Sequence, residues 1–150
     1  MSLSPTEFFE AAQEDGLTHH RPSVARLYLE QVLFRGLVLA GKTVLDIGGG
    51  AGLYSLYAAC MGADSVVNVE PILDGSSSKS HDLFRQFCSR YGLDNALLLD
   101  WTIQDYMECA GSFDVVIMHD SINHLDEAAY IQLASNRRAY NLCCIIVGDC

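Results

Sequence analysis

The chain has 150 residues, half of them hydrophobic, with 9 basic and 19 acidic side chains and a formal net charge of −10. This composition suits one globular domain with a substantial core, and it excludes a disordered or fibrous chain. The charge disfavours nonspecific binding to nucleic acid or anionic membrane. No apolar run reaches bilayer-spanning length, and the first residues lack a signal-peptide pattern, so a cytoplasmic protein is expected.

In chain order, Ser4-Pro5-Thr6-Glu7 predicts a helix start, with Ser4 as N-cap, proline in the first turn and an acid three residues after the cap. That helix should stop at Gly16. A polar hinge follows, Leu17 to Pro22, then a second helix from about Ser23 to Arg35, with Val24, Leu27, Tyr28 and Leu33 among its apolar positions. Gly36 and Gly41 bracket a link to a first strand, Thr43 to Ile47. The glycine-rich turn Gly48-Gly49-Gly50-Ala51-Gly52 leads into a helix, Leu53 to Cys60.

A second strand, Ser65 to Val69, ends in Glu70, and Pro71 stops it. Asp74 to Ser78 reads as a loop. The next helix, about Lys79 to Tyr91, carries Leu83, Phe84, Phe87, Cys88 and Tyr91 on one stripe. Strand three, Ala96 to Leu99, ends in Asp100-Trp101, and a short helix from Thr102 to Ala110 follows. Strand four, Phe113 to Met118, ends in His119-Asp120. A helix from Asp126 to about Tyr140 and a fifth strand, Cys143 to Val147, complete the chain. Strand alternating with helix is the pattern of a parallel α/β sheet. Residues 1–40 are a helical preface and 41–150 the sheet domain.

Six cysteines invite a disulfide reading, but Cys60, Cys88, Cys109, Cys143 and Cys144 lie in apolar segments and there is no C-x-x-C pair. Reduced, mostly buried thiols are expected. No metal site is expected either, because the adjacent strand residues Cys143 and Cys144 point to opposite faces.

Chemistry concentrates at the strand ends. Glycines at 48, 50 and 52 let a ligand approach the backbone, since no Cβ intervenes. An acid closing the second strand can accept hydrogen bonds from both hydroxyls of a ribose. The form Asp46-Ile47-Gly48-Gly49-Gly50-Ala51-Gly52 resembles motif I of the class I S-adenosylmethionine (SAM) dependent methyltransferases, and the acids at later strand ends agree with it.

That resemblance, over roughly residues 40–150, implies a Rossmann-like three-layer αβα sandwich with a mainly parallel sheet in the order 3-2-1-4-5. It implies SAM as cofactor, contacted by Gly48, Gly50 and Gly52. Asp46 would orient the amino acid end, Glu70 hold the ribose, Asp100 take the adenine amino group and Trp101 pack on the base. His119 would lend its backbone. The family sheet has seven strands, so the chain is expected to be truncated relative to it, with the apolar fifth strand as an edge open to a homodimer or to aggregation.

The segment Phe113 to Leu125, F-D-V-V-I-M-H-D-S-I-N-H-L, is similar to the corresponding region of small-molecule methyltransferases. Asp120 and His124 are the candidate catalytic residues. His119, His19 and His20 are further possible bases, His124 matches a position commonly structural in similar enzymes, and Asp120 can instead touch the acceptor or the SAM amine. The stretch His19-His20-Arg21 reads either as part of a lid or as a surface loop. The Asn/Asp-Pro-Pro-aromatic tetrad of amino-group nucleic-acid enzymes, the Pro-Cys motif of cytosine C5 enzymes and the two-glutamate loop of arginine methyltransferases have no counterpart here. By elimination a small-molecule methyl acceptor is expected and no nucleic acid or membrane partner. Two alternatives stay open: a non-catalytic SAM-binding or partner-binding module, and an NAD-dependent oxidoreductase. Leu53 stands against the latter, because it occupies the place of the third glycine in a G-x-G-x-x-G fingerprint.

Overall fold

Thr43–Ile47 is buried along almost its whole length, as a strand covered on both faces must be. It forms β1 (Thr43–Ile47) in the computed structural model, which describes residues 3–72, 78–107, 113–119, 121, 126–128, 131 and 145–148. β2 (Ser65–Val69) pairs parallel to one side of β1 and sets Asp46 opposite Asn68. β4 (Val115–His119) pairs parallel to the other side, with Asp46 opposite Ile117. β3 (Ala96–Leu99) lies outside β2. This parallel order, 3-2-1-4, is the one expected. β5 (Ile145–Gly148) runs parallel beside β4.

Side chains alternate across the strands, and a separate apolar core covers each face. Val44, Val66, Val115 and Ile117 share one cluster with Phe8, Phe9, Leu29, Leu56, Phe84 and Phe87. Leu45, Ile47, Val69, Val116 and Met118 share the other with Ile103, Tyr106 and Phe113. The first face is covered by α1 (Pro5–Glu14), α2 (Pro22–Tyr28), α3 (Leu53–Cys60) and α4 (Ser78–Tyr91). α5 (Ile103–Met107) lies on the second. The expected α4 stripe is inward, with Phe84 and Phe87 buried and Leu83, Cys88 and Tyr91 packed against them. Cys60 is buried and Cys88 half-buried, and neither thiol is in a disulfide. Burial pushes them up to about 12 and about 11, so neither is a ready nucleophile.

The preface packs into the first core. Ser4 and Glu7 make a reciprocal capping box: the Glu7 N–H donates to Ser4 Oγ, and the Ser4 N–H donates to Glu7 Oε2 at 2.8 Å. The second helix differs from its expected span. α2 ends at Tyr28, and Leu29–Leu33 continues as a π-helical turn closed by the Phe34 N–H bonding to Leu29 O at 2.8 Å. The wider turn brings Leu29, Leu33 and Phe34 together into the core, where Phe34 stacks on Tyr57 with ring centroids 5.5 Å apart. Val24 and Leu27 face outward instead.

Two further boundaries shift for local reasons. Asp114 accepts the Thr43 N–H at 2.9 Å and so clamps the start of β1, and β4 begins at Val115, two residues later than expected. Thr102 caps α5, its Oγ1 accepting the Asp105 N–H at 3.1 Å, and so stands outside the helix. Residues 108–110, the loop at 74–77, most of the expected helix 126–140 and the cysteines at 109, 143 and 144 lie outside the described residues. Among the described residues no helix is long and apolar enough to cross a membrane.

The capping box yields a direct prediction. Ser4→Ala removes the N-cap acceptor and should cost about 1 kcal/mol in urea unfolding, with the slope against denaturant unchanged. A loss below a few tenths would mean that packing of Phe8 and Phe9 alone sets the start of α1.

Candidate functional site

The turn after β1 is wound through the left-handed region, with φ of +69° at Gly48, +55° at Gly50 and +83° at Gly52. These glycines have different neighbours. A Cβ on Gly52 would overlap the Phe84 ring, and one on Gly48 would sit 2.5 Å from Ser121 Cβ. A Cβ on Gly49 would meet Asp46 Oδ2 at 2.5 Å and Asn68 Oδ1 at 2.7 Å. Around Gly50 a Cβ would meet nothing within 4 Å. The loop is therefore packed hard at 48, 49 and 52 and open at Gly50.

Beneath it lies a buried polar group. Asp46 is 1% exposed, and Ser55 Oγ, from α3, donates to its Oδ2 at 2.5 Å. Asn68, its lateral neighbour on β2, is fully buried and points Nδ2 at Gly50 O, 3.4 Å away. Asp46 Oδ1 and Asn68 Oδ1 are buried without a hydrogen-bond partner. Burial raises Asp46 to about 7, the Ser55 hydrogen bonds pull it partly back, and the nearby Glu70 charge raises it further.

Glu70 follows β2 and turns toward the loop. Its Oε2 accepts the Gly50 N–H at 3.0 Å. Its backbone oxygen lies 2.7 Å from Nε2 of His81, a buried histidine on α4 whose Nδ1 has no partner. A carbonyl can only accept, so His81 Nε2 is the protonated nitrogen. Asp100, at the end of β3, accepts the Ile72 N–H at 2.7 Å and thereby holds the segment just past Glu70. Trp101 is 41% exposed, with its ring centroid 6.4 Å from that of Tyr106. His119, the last residue of β4, has Nε2 2.7 Å from Tyr28 Oη and its ring centroid 4.8 Å from that of Tyr54.

The structure thus brings Asp46, Gly48, Gly50, Gly52 and Glu70 into one connected group. Asp100 joins it through Ile72, while Trp101 stands exposed beside Asp100. His119 lies at the neighbouring strand end. Asp120 and His124 lie outside the described residues. His19, His20 and Arg21 are exposed between α1 and α2. Among the described residues no group of three or more His, Cys, Asp or Glu side chains could hold a metal ion. Sequence reasoning missed Tyr28, Tyr54, Ser55, Asn68, His81 and Ser121. Asn68 carried a signal, an amide at an inward position of an otherwise apolar strand; the others became visible only through packing.

No model of a known protein family matches the chain, and no curated protein sequence matches it. Solved structures do. One is a Streptococcus mutans protein assigned as a SAM-dependent methyltransferase, at TM-score 0.62 and 20% identity, covering 88% of this chain and 35% of that one. Another is the C-terminal domain of precorrin-6Y C5,15-methyltransferase from Rhodobacter capsulatus, at TM-score 0.59 and 19% identity, covering 78% and 57%. A third is the PRMT1 enzyme–prozyme complex of Trypanosoma brucei with AdoHcy, at TM-score 0.51 and 25% identity, covering 73% and 31%. This chain has the Rossmann-like fold of the SAM-dependent methyltransferases. It spans between 35% and 57% of the length of the first two of these structures.

The buried acid gives a pH prediction with a definite sign. Between about pH 4 and about pH 7 the folded chain keeps the Asp46 proton that the unfolded chain has lost. Its contribution is therefore fully present below pH 4, falls as pH rises through that window and levels off above it. Asp46→Asn can still accept from Ser55 and should remove this slope, becoming more stable than the parent at pH 8 by on the order of a few kcal/mol. Parallel stability curves for the two proteins between pH 4 and 8 would contradict a raised Asp46.

Proposed function

We propose that the chain binds SAM at the strand ends and transfers its methyl group to a small-molecule acceptor. The observation that carries the reading is the Gly50–Glu70 pair: an open glycine backbone whose N–H is held by the acid that ends the next strand. The site fits a nucleoside with an amino acid tail. A carboxylate has about four acceptor sites, so Glu70 has capacity beyond the Gly50 N–H for a ribose diol. Asp46 Oδ1, buried and without a partner, is an acceptor next to the loop for an ammonium group, directly or through water. Asp100 and Trp101 are assigned to the adenine, His119 to a backbone contact, and Asp120 and His124 to the acceptor side.

SAM supplies a methyl group already activated by the sulfonium charge. The protein's work is alignment and exclusion of water. Gly48 and Gly52, packed against Ser121 and Phe84, hold the loop in the shape that keeps Gly50 open. We read the sheet as the 3-2-1-4-5 arrangement of the family, with the acceptor at the β1–β4 side. Structural neighbours differ in their acceptors, a precorrin enzyme and a PRMT1 complex among them. The net charge of −10 and the missing nucleic-acid and arginine motifs favour a small molecule.

Calorimetry with S-adenosylhomocysteine and with NAD tests the reading. Binding of the former alone is expected, and binding of NAD alone would overturn it. Glu70→Ala should weaken S-adenosylhomocysteine by about 1.5–3 kcal/mol, the worth of hydrogen bonds to a charged group; an unchanged affinity in a folded variant would remove Glu70 from the site. Gly50→Val should abolish detectable binding while costing about 1–2 kcal/mol of stability, since the strain is conformational and the space is open. Gly48→Val is a poorer probe, because its side chain would also collide with Ser121.

A further inference from the structure

We infer that Tyr28 and His119 form one proton-sharing pair on the acceptor side of the site, and that the methyl acceptor is therefore a group with a proton to lose. The inference rests on the reading of the glycine loop as the SAM site. β1 lies between β2, whose end carries Glu70, and β4, whose end carries His119. The crevice between β1 and β4 is where the strand order reverses, and open parallel sheets bind ligands at that point. With the nucleoside toward Glu70, the reacting end falls toward His119.

Tyr28 is not part of the strand–helix repeat. It is the last residue of α2, and it reaches the tip of β4 to place Oη 2.7 Å from His119 Nε2, with the two rings nearly perpendicular at 87°. Tyr54, two residues after Gly52, packs on the same imidazole. Tyr28 of α2 and Tyr54 of α3 are thus titratable groups in contact with the imidazole, and Asp46 lies on the same face two residues before the His119 level, opposite Ile117. We assign the phenol O–H as the donor to Nε2, which requires the imidazole tautomer protonated at Nδ1.

The geometry suits a two-step proton path. As the bond from acceptor to methyl carbon forms and the sulfur–methyl bond breaks, the electron pair of the broken bond stays on sulfur. The acceptor's proton passes to Tyr28 Oη while the phenol proton passes to His119 Nε2, giving an imidazolium that then releases a proton to water. No further reactant is needed. An acceptor without a proton, such as a thioether, would have no use for the pair.

The test uses the full chain labelled with 15N in its histidines. The imidazole spectrum should show His119 protonated at Nδ1 and accepting at Nε2 near pH 8. In Tyr28→Phe the His119 Nε2 signal should move from its place in the parent, because its hydrogen-bond partner is gone. Saturating S-adenosylhomocysteine should shift the His119 signals of the parent. If the ligand binds by calorimetry but leaves His119 unmoved, or if Tyr28→Phe leaves the Nε2 signal unchanged, the pair is structural and the inference fails. If the ligand does not bind at all, the SAM reading itself fails and takes the inference with it. Should Tyr28→Phe not fold, His119→Gln replaces it, and the Tyr28 phenol carbon signal must then move from its place in the parent and stop responding to S-adenosylhomocysteine.

Discussion

The hydrogen bond from the Gly50 amide to the Glu70 carboxylate joins the two pieces of chain on which the site depends. It can form only because β1 and β2 run parallel in a register that ends both strands at the same level. A shift of one residue in that pairing would turn Asn68 away from the loop and send Glu70 to the other face. The register is held below the site by apolar pairs such as Val44 with Val66 and Leu45 with Val67. The core thus sets the position of a charged group that the core itself could not tolerate.

The polar layer beneath the loop is less settled energetically. Asp46 is buried in a chain already carrying excess negative charge, and burial together with Glu70 opposes its ionisation. One bond from Ser55 does not satisfy a carboxyl, and Asn68 leaves an oxygen unmet as well. Unsatisfied buried acceptors are costly in a folded protein and are concentrated where function demands them. Here they lie under the glycine turn, in which Gly50 is the position with open space around it. The same crowding explains why Gly49, which has no left-handed φ, still has to lack a side chain.

The N-terminal helices pack into the same core as the helices that support this site. Phe8 packs edge-on against Tyr57 of α3 and Phe87 of α4, so α1 braces the helices that follow β1 and β2. The π-helical turn then inserts Leu29, Leu33 and Phe34 into the same core. That anchoring leaves Tyr28, at the junction, held rigidly enough to meet His119. A straight α-helix through residue 35 would have rotated the residues after Tyr28 away from the core, and the segment would have lost the packing that fixes its position.

The sequence by itself determined the strands, the order of elements and the glycine turn, because apolar runs bounded by Gly and Pro report local geometry directly. It also singled out Asp46, by its place two residues before the first glycine, and Glu70 and Asp100, as acids that close the second and third strands. It could not show that Glu70 holds Gly50, that Asp100 holds Ile72, or that Asp46 shares its burial with Asn68 and Ser55. Those contacts join residues between 9 and 28 positions apart, and they exist only once parallel strands are aligned. Tyr28 was legible as an apolar helix position and nothing more. Its bond to His119 spans 91 residues and depends on a π-helical turn that no local pattern announced. Periodicity encodes which face is buried, and only the packing of whole elements decides which polar atoms meet.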